Sequence, residues 1–69
     1  MATLAERVRQ LRTARGWTMA DVARFVGCNP SNIAHIEAGR VTNPKRPTLT
    51  SLAKCFGVTV TYLKGGSND

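Results

Sequence analysis

Cys28, Cys55 and His35 are the residues of this chain with the chemistry to hold a metal or act as nucleophiles, and their spacing argues against both. The cysteines stand 27 positions apart and no C-x-x-C occurs. One histidine cannot complete a four-ligand zinc site. Two reduced, packed thiols are the simpler expectation, and Asp21 falls where a helix cap is needed rather than beside a nucleophile. The reading is of a chain that is not an enzyme, with no metal, cofactor or small-molecule ligand. The chemistry that remains is electrostatic. Ten Lys and Arg against four Asp and Glu give a formal charge of +6, and the isoelectric point is near 10.4. That imbalance calls for a polyanionic partner, nucleic acid ahead of an acidic membrane surface.

The elements that must carry this charge fit one small domain. The chain has 69 residues, 42% of them hydrophobic and only 6% aromatic, near the lower size limit for folding without staples. No apolar run approaches the roughly 18 residues of a membrane span, and the N-terminus lacks the apolar stretch of a signal peptide. A soluble, cytoplasmic protein is expected.

Capping signals mark five helices and no strand. Thr3 and Glu6 form a T-x-x-E capping box for a first helix over residues 4–15, with Leu4, Val8 and Leu11 inward, Arg7, Arg9 and Arg15 solvated, and Gly16 as the stop. Thr18 and Asp21 repeat the capping pattern for a second helix of about two turns, with Val22, Ala23 and Val26 inward and Gly27 ending it. Phe25 falls beside that stripe, where it would shield the edge of the first helix or meet a partner. Asn29 as N-cap and Pro30 at the first helical position open a third helix, buried through Ile33 and Ile36 and closed by Gly39. Residues 40–47, with two prolines and three cations, read as an exposed basic loop. Thr48 is expected to cap a fourth helix with Leu49, Leu52, Ala53 and Phe56 inward, and Thr59 a short fifth one holding Val60, Tyr62 and Leu63. The domain is placed at residues 1–64, with a flexible tail over 65–69.

Two short helices joined through a glycine turn, the second with a polar face, match the helix-turn-helix pattern, in which the second helix enters the DNA major groove. Here the motif spans about residues 19–38. Ala23 must be small where the helices cross, Gly27 must turn the chain, and Ile33 must plug the angle between them.

The chain also carries Thr3-Leu4-Ala5-Glu6-Arg7, Arg12, Gly16-Trp17-Thr18, the Val22–Gly27 block, Ile36-Glu37-Ala38-Gly39-Arg40, Lys45-Arg46-Pro47 and Gly57-Val58-Thr59-Val60-Thr61-Tyr62-Leu63. Across nearly its whole length it thereby resembles the Cro and repressor type of helix-turn-helix domain, also called the XRE type, as in small phage Cro proteins and repressor N-terminal domains. The resemblance implies a compact all-α, five-helix, lambda-repressor-like fold, encoded by a bacterium or phage, that binds double-stranded operator DNA as a two-fold homodimer and represses by occupying a promoter.

Carried over by position, the resemblance makes Ser31, Asn32 and His35 the residues facing base edges, with Asn29 and Pro30 at the helix mouth. Asn bonds adenine bidentately, Ser suits several edges and His can donate to guanine, each discriminating by about 1–3 kcal/mol. Thr18, Met19, Arg24, Arg40, Lys45 and Arg46 are the backbone-contacting set, although Met19 stands where relatives usually have a glutamine and the basic loop is about two residues longer than in the phage proteins. Arg12 and Glu37 correspond to a structural ion pair, and Val58, Val60 and Tyr62 to the dimer contact. Two other readings stay open: a restriction-modification controller or antitoxin-type regulator of the same fold, and a protein-interaction module that has lost DNA binding, for which Met19 and Phe25 are the hints.

Overall fold

The computed structural model describes residues 3–65. They form α1 (Leu4–Ala14), α2 (Met19–Val26), α3 (Pro30–Glu37), α4 (Arg46–Phe56) and α5 (Val60–Leu63), and no strand occurs among the described residues. Of the tail expected over residues 65–69, Gly65 is described, half-buried with its N–H bonding Tyr62 O at 3.0 Å, and residues 66–69 lie outside the described residues.

One apolar cluster joins all five helices. Val8 of α1, Val22 and Ala23 of α2, Ile33 and Ile36 of α3, Leu49, Leu52, Ala53 and Phe56 of α4 and Leu63 of α5 are buried together, and Leu4 closes the cluster at the start of α1. Leu11 is only half-buried and packs on its edge. The i, i+3, i+4 spacing of these residues turns one stripe of each helix inward, and that stripe is the source of most of the stability a short helix has.

Local capping sets the helix starts. Thr3 Oγ1 accepts the Glu6 N–H at 3.3 Å, and Thr59 Oγ1 accepts the Tyr62 N–H at 3.0 Å. At α2 the box is reciprocal: Thr18 Oγ1 accepts the Asp21 N–H at 3.1 Å while Asp21 Oδ2 accepts the Thr18 N–H at 2.9 Å. Asn29 occupies the N-cap position of α3 with extended backbone, yet its side chain makes no capping bond.

The fourth helix begins earlier than its sequence suggests. Lys45, not Thr48, is the N-cap, so Arg46 and Pro47 belong to the first turn of α4 and the basic loop ends at Lys45. The reason is that a proline near the start of a helix removes an N–H that has no intrahelical acceptor, so Pro47 does not delay the helix. Leu49 N–H already bonds Lys45 O at 3.1 Å.

The solvated face expected for α1 is also only partly solvent-facing. Arg9 and Arg15 are exposed as expected, whereas Arg7 is half-buried against the Tyr62 ring; the exposed Arg15 still folds back over Trp17 and Phe56. At about 100° per residue, Arg15 falls within the Leu4–Val8–Leu11 stripe, so periodicity turns it toward the body of the domain.

Candidate nucleic-acid interface

The turn between α2 and α3 sets the position of the polar helix. Gly27 has φ +86, a left-handed conformation that an L side chain resists, and its N–H and that of Cys28 both bond Ala23 O, at 2.7 and 2.9 Å. The chain therefore turns within three residues and α3 starts at Pro30, packed on α2, on which Ala23 is almost fully buried. Ile33 and Ile36 anchor α3 from below, so the opposite stripe must face out.

That stripe holds Ser31 and His35, one helical turn apart and both exposed. Asn29, Pro30 and Asn32 are exposed as well. Asn32 lies round the helix toward α4, where it lines a cleft of about 170 Å³ with Ile36, Val41, Pro44, Lys45 and Thr48. The structure thus brings Asn32 and Lys45 to one place and leaves Ser31 and His35 on another.

Exposed cations stand on the elements before and after the helix. Arg40 follows α3 directly, its N–H bonding His35 O at 3.0 Å, while Lys45 and Arg46 are exposed at the opening of α4. Arg24 on α2 is 79% exposed, with only a loose 3.9 Å approach to Asp21. The Asp21 carboxyl is held below the ordinary carboxylate range, chiefly by the Thr18 backbone N–H, then by the Thr18 side chain, with Arg24 adding a smaller effect. Thr18 is exposed at the N-terminus of α2, and the N–H groups of Met19 and Ala20 lie outside the intrahelical ladder there. The Met19 side chain is half-buried against the core, so that position offers its backbone to solvent more than its side chain.

An ion pair fixes α3 from behind. Arg12 Nε and Nη2 donate to Glu37 Oε2 and Oε1 at 2.7 and 3.0 Å, and Nη1 donates to Trp17 O at 2.8 Å. The bond to Glu37 raises the pKa of Arg12 further, so the guanidinium stays charged. Val58, Val60 and Tyr62 are half-buried around the α4–α5 turn, far along the chain from α3. Phe25 is 60% exposed, so it does not seal the edge of α1. Cys28 and Cys55 are free, half-buried thiols against the core, and burial pushes the Cys55 thiol up while Arg15 opposes the shift. Among the described residues no three His, Cys, Asp or Glu side chains gather around a point that could hold a metal ion. Nor is any described helix long and apolar enough to cross a membrane.

This geometry matches known proteins. Residues 3–63 match the family model described as a helix-turn-helix domain. The chain belongs to that helix-turn-helix family. Its sequence is 41% identical over 63 residues to the HTH-type transcriptional regulator DdrOP3 of Deinococcus deserti, covering 91% of this chain and 48% of the relative, so the chain spans about half the length of that protein. In three dimensions this helix-turn-helix chain superposes on the P22 c2 repressor, solved in complex with a synthetic operator, with a TM-score of 0.89 and 25% identity over 97% of this chain and all of the other. It superposes on the N-terminal DNA-binding domain of SinR from Bacillus subtilis with a TM-score of 0.81 and 27% identity over 87% of each. The five-helix repressor-type architecture is therefore shared with DNA-binding domains of transcriptional regulators.

The contacts that the sequence reading does not foresee are those of Arg7 with the Tyr62 ring and of Arg15 with Phe56 O. The helical phase of the two arginines was the available signal.

Proposed function

We propose that this chain is a sequence-specific, double-stranded DNA-binding transcriptional regulator, a repressor that binds an inverted-repeat operator as a homodimer and has no catalytic role. The observation that carries the reading is the outward stripe of α3, with Ser31 and His35 exposed above the buried Ile33 and Ile36, together with exposed cations on the neighbouring elements, Arg24 of α2, Arg40 after α3, and Lys45 and Arg46 at the start of α4. Ser31, Asn32 and His35 read base edges, with Asn29 and Pro30 at the groove's mouth. Arg24, Arg40, Lys45 and Arg46 bind phosphates, joined by the N-terminus of α2 at Thr18 and Met19, where the helix dipole favours an anion. The P22 c2 repressor, similar over its whole solved length, is described with an operator bound, which supports the assignment. Two copies joined through Val58, Val60 and Tyr62 present their α3 helices to successive major grooves, about 34 Å apart.

Fluorescence anisotropy of one labelled duplex against increasing salt tests the electrostatic half of this reading. The logarithm of the binding constant falls linearly with the logarithm of salt concentration, with a slope set by the phosphates neutralised. Affinity independent of salt overturns it. The exposed Phe25 favours a second reading, a protein-interaction module, and that reading gains if no duplex is bound.

A further inference from the structure

Arg7 of α1 and Arg15, which caps the C-terminus of that helix, close on the residues either side of the α4–α5 turn. Arg15 Nη2 donates to Phe56 O at 2.6 Å, on the last residue of α4, while its Nη1 holds Leu11 O at 2.9 Å. The same guanidinium lies 5.5 Å from the Phe56 ring centre and 5.6 Å from that of Trp17. At the other end, the Arg7 guanidinium lies 4.1 Å from the centre of the Tyr62 ring. Between them run Gly57, in the left-handed conformation at φ +70, and the start of α5.

This segment needs outside support. With four residues, α5 is far below the length at which a helix is stable alone, so its direction is set by what it packs on. Leu63 anchors its inner side in the core. Arg7 holds the Tyr62 ring, and it does so at a cost: Arg7 Nε is buried without a hydrogen-bond partner. Hydrogen bonding from Nε therefore does not explain the placement of this side chain, whereas stacking of a cation on an aromatic face does.

We propose that Arg7 and Arg15 are positioning residues that fix the Phe56–Tyr62 segment, and through it the angle at which two copies of this chain meet and the separation of their α3 helices. The inference rests on the homodimer reading with Val58, Val60 and Tyr62 at the contact. Two-fold symmetry makes the effect large, because a tilt of this patch occurs on both sides of the interface at once.

The test compares binding to an inverted-repeat duplex selected from a random library with binding to its isolated half-site. Arg7→Met and Arg15→Met lower the ratio of full-site to half-site affinity about three- to thirty-fold, the range that cation–π contacts give, while half-site affinity stays at the wild-type value. Arg7→Lys, which keeps the charge and the aliphatic stem, restores part of the ratio. A ratio unchanged in Arg15→Met and in folded Arg7→Met, or full-site and half-site affinities falling by the same factor, overturns the inference; should Arg7→Met not fold, the Arg15→Met result alone decides. A wild-type protein that gains nothing from the second half-site overturns the homodimer reading itself.

Discussion

Arg12 of α1 grips Glu37, the last residue of α3, through two parallel bonds of 2.7 and 3.0 Å, with the side chains only 13% and 4% exposed. The pair ties the helix that anchors the domain to the C-terminal end of the helix proposed to read DNA. Its third donor, Nη1, reaches Trp17 O, so the same guanidinium also holds the link between α1 and α2.

Removing Glu37 leaves a largely buried guanidinium with the Trp17 carbonyl but no counter-charge. Glu37→Ala is expected to destabilise the domain by about 3–5 kcal/mol, the usual consequence of breaking a buried pair from one side. At about 4–8 °C per kcal/mol for a domain of this size, thermal unfolding followed by circular dichroism shows a fall of more than about 12 °C. An unchanged midpoint contradicts the role given to the pair. Arg12→Met combined with Glu37→Leu recovers much of the loss, because no stranded charge remains.

The α2–α3 turn gives a separable prediction. No atom lies within 4 Å of the position a Cβ would occupy at Gly27, so substitution there meets open space and only the φ of +86 opposes it. Gly27→Ala costs about 1–2 kcal/mol from the left-handed backbone alone, and Gly27→Asn costs less, since Asn tolerates that region. Urea unfolding of the two variants checks the order; equal stability of Ala and wild type contradicts it.

Acid should act through the α2 cap. Asp21 titrates lower in the folded chain than in the unfolded one, so its contribution is fully present above the unfolded value of about 4 and is lost as pH falls through the folded value. Asp21→Asn therefore lies below wild type in stability at pH 6, and the two converge as the solution is acidified toward pH 2. A gap that stays constant across that range contradicts the assignment.

Much of this fold was legible because its signals are local. Thr18 and Asp21 are three residues apart and meet as their types suggest, and Gly27 stops α2 with the conformation glycine alone takes freely. The start of α4 is not legible, because Pro47 reads as a breaker although its position in the first helical turn makes it compatible with a helix. Arg12 and Glu37 are 25 positions apart, so only the family resemblance linked them; nothing local does. Arg7 carries a charge yet its helical phase sets it half-buried against Tyr62, whereas Arg15 is exposed as its charge suggests and still reaches Phe56 O. The cleft that brings Asn32 beside Lys45 depends on the path of residues 40–45, which no periodicity describes.

The proposed contacts divide into two classes with different signatures. Lys45→Ala and Arg46→Ala weaken binding to every duplex to a similar extent and each reduce the salt slope by about 1. Ser31→Ala and His35→Ala cost about 1–3 kcal/mol on the preferred duplex and relax preference at one base pair of each half-site. Anisotropy with matched and mismatched duplexes separates them; a uniform loss for His35→Ala moves that residue to the phosphate-binding set.

The most direct test of the central claim is selection from a random duplex library at moderate salt, with the retained sequences compared to the unbound pool. The account predicts enrichment of an inverted repeat whose half-sites lie about one helical turn apart. Retention without sequence preference contradicts it, leaving the basic surface as the only source of affinity.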